Sequence, residues 1–185
     1  RLSGYSAIDV DDLTEVEIRS RQLTVEHLEF YRSNAPGFKN AFLMLGAPQI
    51  GVRHSRRLSG RSQVTRAQWD EGKVWNDEIG VSTSLAPKFE NISVPYGSLV
   101  PTGIEGILGA GRHISCDASS HSFLREVPQC WLSGQAAGAA AALAANQNIL
   151  PSKLDVRLIQ KELLSQGVYL SPSIVDQISV PDAAE

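Results

Sequence analysis

Cysteine is scarce: the chain has two, Cys116 and Cys130, in 185 residues. One possible pair is too little to staple a secreted fold. There is no C-x-x-C, and the four histidines are scattered, so no zinc-type spacing is present. A reducing, cytoplasmic compartment and no resident metal are the expectations. A cationic excess is also missing, since 17 Lys+Arg stand against 20 Asp+Glu for a formal charge of -3. Nucleic acid and anionic lipid both need a positive field, so neither is an expected partner. Methionine occurs once, at Met44, and the chain opens on Arg1-Leu2-Ser3-Gly4 without an apolar signal segment or a basic presequence. Residue 1 is therefore not expected to be a translation start. The chain reads as a processed product, a shortened subunit or a piece of something longer.

With 42% hydrophobic residues, and with Gly and Pro spread out rather than clustered, the composition is that of a folding chain. The length suits one compact domain. Thr14-Glu15-Val16-Glu17 fits a capping box, and Val16, Leu23 and Phe30 fall seven apart with Ile18 and Val25 beside them. This predicts a helix from about Thr14 to Arg32 whose apolar stripe faces a core. Strands are expected at residues 41–45 and 52–58, a helical turn at 65–71, and further strands at 79–85 and 91–94. Residues 106–111 read as a small-residue strand that can be buried on both faces.

The strongest local signal runs from Pro128 to Asn146: Pro128 suits a first helical turn, and eight of the twelve residues from Gly134 to Ala145 are alanine. Gln129, Ser133, Gln135 and Asn146 make this helix a poor membrane span, so close packing against a sheet or a ligand is the expectation. A last helix starts after the N-cap Asp155 and stops at Gly167.

Residues 106–138 thus read as strand, loop and helix, a geometry that gathers free N–H groups and a positive dipole end at one point. Gly106, Gly109 and Gly111 do not complete a G-x-G-x-x-G, because no third glycine sits where the helix begins. Something anionic is nevertheless favoured there.

Several segments taken together carry a resemblance. They are the stretch 48–57 (PQIGVRHSRR), Leu99-Val100-Pro101 to Gly103, Gly109-Ala110-Gly111-Arg112-His113-Ile114-Ser115, His121 to Arg125, Pro128 to Cys130, and Gly134-Gln135-Ala136-Ala137-Gly138. In this order and spacing they resemble the C-terminal half of the FAD-dependent oxidoreductases of the glutathione reductase and fumarate reductase flavoprotein type, over roughly residues 10–170. The resemblance implies a mixed α/β fold: a substrate-domain sheet plus the returning strand and closing helix of a Rossmann-like FAD domain. The division it implies is a substrate or cap portion with the N-terminal helix over 1–105, a strand-loop-helix completing the FAD domain over 106–150, and a C-terminal helix and tail over 151–185.

By the same resemblance the cofactor is FAD. Gly111 and Arg112 would lie along its ribityl and pyrophosphate region. The helix beginning near Gly134, Gln135 and Ala136, with Ala137 and Gly138, would aim its N–H groups at the flavin C2 carbonyl, where a positive helix end stabilises negative charge. His121 would take a substrate proton while a hydride leaves for flavin N5, and Arg125 would bind substrate or steady the flavin. Arg53, Arg56 and Tyr96 would face the substrate, with alternation placing Arg53 and Arg57 on one face and Arg56 on the other. Each role has a structural rival: a packed histidine, an ion-paired Arg125, a solvated arginine strand. Gly97 departs from the family, which often has a basic residue after that tyrosine. Cys130, in the helix's first turn, occupies a place where a thiol pKa can be lowered.

Nothing before residue 41 resembles the first βαβ unit that holds the ADP part of FAD. The expectation is a flavin-dependent oxidoreductase chain that transfers a hydride between a small organic substrate and FAD. A second polypeptide would carry the ADP-binding half. The alternative is a non-catalytic, flavoprotein-like structural or binding subunit.

Overall fold

The computed structural model describes residues 2–83 and 91–179. The chain separates into two compact units, Arg1–Arg56 and Arg57–Glu185. The expected boundaries lay instead after residues 105 and 150, and the second unit's core, from Val64 to Leu163, runs across both.

The first unit is built on α1, Val10–Asn34. Asp9 caps it, accepting hydrogen bonds from the amides of Asp11 (3.0 Å) and Asp12 (3.1 Å). Asp11 and Asp12 add negative charge at the positive end of the helix. The start expected at Thr14 is therefore one turn too late. The Thr14 hydroxyl instead donates to the Val10 carbonyl inside the helix (2.8 Å), and Glu17 pairs with Arg21 and accepts from the Ile50 amide (2.8 Å). The expected core-facing stripe is not observed either: α1 buries no residue, and Ile18, Val25 and Phe30 are each half exposed or more. Residues 41–45 and 52–58 are not strands. Apolar alternation favours a pleated chain but does not by itself build a ladder, and neither segment belongs to one among the described residues. Without a pleat, the expected division of Arg53, Arg56 and Arg57 between two faces does not arise.

The second unit is a small α/β core. Strands β1 (Glu78–Ser82) and β2 (Ile92–Pro95) pair antiparallel, with a bulge between Glu78 and Gly80. They overlap the expected strands at 79–85 and 91–94; Thr83 and Asn91 are not in strand, and residues 84 and 85 lie outside the described residues. Before them α2 (Arg66–Asp70) is capped by Thr65 with a Gln68 capping box. After them come α3 (Ala118–Leu124), α4 (Val127–Gln147), α5 (Val156–Ser165) and α6 (Pro172–Ser179). Helix α5 begins at the expected Asp155 cap and ends before Gly167, at φ +82°.

The alanines of α4 behave as their size predicts. Ala136, Ala140 and Ala144 turn inward with Gln129 and Ser133, and α4 packs on β1 and α5. Gly80 completes the approach: its φ is +152°, and a Cβ there would lie 2.5 Å from Leu132 of α4. Ile159 and Leu163 of α5 close the core from the other side with no exposed surface. Gln160, also buried, donates to the carbonyls of Asn76 (2.9 Å), in the turn before β1, and Glu78 (3.0 Å), its first residue.

The Glu78 side chain reaches further along the chain, accepting from the Ser171 amide (2.6 Å) and hydroxyl (2.8 Å) just before α6. Helix α6 adds a second small cluster, Leu170, Ile174 and Ile178. Among the described residues no helix is long and apolar enough to cross a membrane.

Candidate functional site

Residues 106–112 do not form the expected returning strand. Gly106 and Gly111 adopt φ +78° and +96°, and these left-handed residues break an extended run at both ends. The segment is instead stitched in place by separate hydrogen bonds. The Gly109 amide donates to the Leu99 carbonyl (2.8 Å), the Leu58 amide to the His113 carbonyl (2.6 Å), and the Ser115 amide to the Ser98 carbonyl (3.0 Å). Val64 and Cys116 form an isolated parallel bridge. The result is a defined loop in place of a ladder, ending at Asp117.

Asp117 joins the starts of two helices. As N-cap of α3 it accepts from the Ser120 amide (2.7 Å), and its other oxygen accepts from the Arg66 amide at the start of α2 (2.8 Å). Burial alone would raise its pKa, but the hydrogen bonds from Arg66, Ser120 and Ser119 outweigh burial and hold the carboxyl below its usual range. Trp69 of α2 donates its indole N–H to the Ser120 hydroxyl (2.9 Å), so α2 and α3 are tied at two points.

The Gly111–Arg112 turn is held from two helices. From α4, the Ser133 hydroxyl accepts the Gly111 amide (2.9 Å) while lying within bonding distance of the Gln129 and Cys130 carbonyls (3.0 and 3.1 Å). From α3, the His121 Nε2 meets the Arg112 carbonyl at 3.1 Å. A carbonyl has no proton to give, so the shared hydrogen belongs to Nε2. The imidazole is 4% exposed. Arg112 itself is exposed.

Helix α4 starts at Val127, so Gly134, Gln135, Ala136, Ala137 and Gly138 lie in its second and third turns, where amides are already spent on i→i−4 bonds. The expected aiming of their N–H groups at a ligand is therefore corrected. The amides that precede the first helical bond are those of Val127 and Gln129, since Cys130 already donates to the Glu126 carbonyl (3.0 Å). What Gly134 and Gly138 supply is a bare surface, with nothing within 4 Å of where a Cβ would sit.

The remaining expected site residues separate. Arg125, mostly buried, pairs with Glu126 at 3.1 Å. Tyr96 is buried and donates its hydroxyl to the Pro151 carbonyl (3.0 Å); burial pushes its pKa up to about 12, against the opposing charge of Arg61. It is a packing residue and not one facing a substrate. The glycine after it has a structural reason: a Cβ at Gly97 would lie 2.5 Å from the Ser62 hydroxyl oxygen, and its amide donates to Asp77 (2.8 Å). Arg53 and Arg56 are exposed residues of the first unit. Burial raises the Cys130 thiol pKa, opposed by Arg112 and reinforced by Glu126, so the expected lowering is reversed.

Two residues gained importance only in the structure, Ser133 and Gln129. Gln129 is 6% exposed, and its side-chain oxygen has no hydrogen-bond partner among the described residues. The available signal was their spacing: two polar residues four apart in a small-residue helix share one face.

The family model for FAD dependent oxidoreductases matches residues 2–163. The chain belongs to that family. FAD is accordingly the cofactor of this flavoprotein chain, and flavin-dependent redox chemistry its general function. No curated protein and no solved structure matches the flavoprotein chain. Its residues suit the cofactor. The Gly111 turn leaves open space where a Cβ would stand, the start of α4 offers amide donors, and the buried Gln129 oxygen lacks the partner that a ring N–H would supply. Among the described residues no group of three His, Cys, Asp or Glu is placed to hold a metal ion.

Proposed function

We propose that this flavoprotein chain supplies one half of an FAD site for hydride transfer between a small organic substrate and FAD, in the manner of the glutathione reductase and fumarate reductase flavoproteins. The ADP-binding half lies on a second polypeptide. The observation that carries the reading is the Gly111–Arg112 turn pinned beside the start of α4, a rigid backbone surface bordered by donors and by the unpaired Gln129 oxygen.

FAD, when bound, supplies the hydride acceptor. The chain's own residues bind and orient it: Gly111 and Arg112 at the ribityl-phosphate portion, and Val127 and Gln129 at the α4 start, where the dipole favours negative charge. Gly134 and Gly138 with Gln135, Ala136 and Ala137 offer a face without bulky side chains for close approach of the cofactor or its domain. Arg125 is proposed to meet a polar group of the substrate, with Glu126 fixing its guanidinium. The resemblance assigns Arg53 and Arg56 to substrate as well.

The test is isolation of the native assembly from its source, following flavin absorbance through size-exclusion chromatography. A yellow species larger than 20.0 kDa that contains this chain and a second polypeptide is expected. A colourless monomer, with no larger flavin-bearing species, would overturn the split site. An assembly that carries FAD but is bleached by no electron donor would favour a binding subunit without redox chemistry.

A further inference from the structure

The Gly111–Arg112 turn has bonds on both of its faces, and neither comes from its own loop. Ser133 takes the Gly111 amide from the α4 side, and His121 meets the Arg112 carbonyl from the α3 side. Ser133 is 1% exposed and His121 4%, so water cannot readily replace either bond. The turn also needs outside support. Gly111 sits at φ +96° with nothing within 4 Å of where a Cβ would stand, and neighbouring Arg112 is exposed. Glycine reaches that conformation freely and leaves it as freely.

We propose that His121 and Ser133 are positioning residues that clamp the Gly111–Arg112 turn in the shape that receives FAD, His121 acting through the Arg112 carbonyl and not as a base toward substrate. This deepens the function proposed above and rests on it for the identity of the ligand. Both helices that carry the clamp are fixed elsewhere. Helix α3 is set by Asp117, which also holds the Arg66 amide, and by Ser120, which takes the Trp69 indole. Helix α4 is set by Ala136 and Ala140 in the core. A proton acceptor for substrate needs an approach path to its ring, and a nearly closed imidazole whose Nε2 proton is committed to a backbone carbonyl is built for holding.

The test compares His121→Ala, His121→Gln and Ser133→Ala in the intact flavin-bearing assembly. The readouts are the FAD dissociation constant from flavin fluorescence, the pH profile of flavin reduction, and hydrogen exchange of the Gly111 amide in the FAD-free protein. His121→Ala and Ser133→Ala are each expected to weaken FAD by about tenfold, equivalent to about 1.4 kcal/mol, and Ser133→Ala to accelerate Gly111 exchange by a similar factor. His121→Gln is expected to recover most of the affinity, because a glutamine N–H can still donate to the Arg112 carbonyl while glutamine cannot act as a base. Unchanged FAD affinity in His121→Ala would overturn the clamp. So would a His121→Gln protein that binds FAD normally yet loses the pH dependence and rate of flavin reduction, since that outcome makes His121 the base. If His121→Ala does not fold, the Gln and Ser133 variants decide alone, normal affinity in Ser133→Ala counting against the proposal. Exchange at Gly111 is read without cofactor. A clamp confirmed there in an assembly whose FAD needs no second polypeptide would remove the split site and leave the clamp standing.

Discussion

Replacing Glu78 tests whether a single buried carboxylate holds the C-terminal helix to the sheet. The side chain is 0% exposed, and its two oxygens accept from the amide and hydroxyl of Ser171, the residue before α6. Hydrogen bonds to a charged acceptor contribute about 1.5–3 kcal/mol each, so Glu78→Ala removes about 3–6 kcal/mol of bonding. The cost of taking the carboxylate out of water is recovered in part when it is deleted. A net loss of about 2–3 kcal/mol is expected. Glu78→Gln keeps one acceptor and turns a donor toward Ser171, so it should lose about half as much. Ser171→Ala removes only the hydroxyl bond and leaves the carboxylate buried, so it should cost about 1.5–3 kcal/mol. Urea unfolding gives the global values. Hydrogen exchange over residues 172–179 gives the local one, because α6 buries its own small cluster and can open before the rest. A Glu78→Gln protein within about 0.5 kcal/mol of the parent, with unchanged exchange in α6, refutes the latch. So does a Glu78–Ser171 double-mutant cycle with no coupling.

Asp117 gives a pH signature. Its folded pKa is depressed, so its stabilisation is present above the unfolded value of about 3.9 and is lost as pH falls through the folded value. Asp117→Asn, which still caps α3, should flatten the melting temperature against pH below about pH 4; parallel curves for the two proteins would dismiss the assignment. Gly60→Ala places a Cβ 2.8 Å from the Gly97 carbonyl oxygen and 2.7 Å from the Ser115 Cβ, an overlap expected to cost about 1–3 kcal/mol in denaturant unfolding. Burial pushes the Cys116 pKa up to about 11, with Arg57 opposing and Asp117 adding, and raises that of Cys130 too. Both thiols should therefore alkylate slowly at pH 8 until denaturant is added, and rapid labelling of the native chain would contradict their burial.

The elements that could be read from sequence are those specified by nearby residues. Thr65 with Gln68, Asp155 with Gly167, and Pro128 ahead of the alanine run each define a helix locally, and β1 and β2 follow from apolar runs that found each other. Residues 41–45, 52–58 and 106–112 carried strand-like composition but join no strand ladder among the described residues, and no local pattern reports that. The positive φ of Gly106 and Gly111 decided the last of these. At α1, Asp9 outcompeted Thr14 because its two amide bonds form one turn earlier. Motif order singled out Gly111 and Arg112. The placement of His121 and Ser133 on either side of them was not readable from it, since the two bonds join residues nine and twenty-two positions apart in the chain.

Gln160 has a consequence for how this chain behaves in company. A sheet of two strands has as many open edges as strands, and an open edge is where another chain adds itself. The carbonyl of Glu78, the first residue of β1, and that of Asn76, in the turn before it, both accept from one carboxamide of α5. An acceptor that a foreign strand would use at the start of β1 is thus already spoken for by a side chain of the same molecule. A glutamine buried among isoleucine and leucine guards the rim of the sheet, and Gln160→Leu would fill the same space while leaving that rim open to self-association.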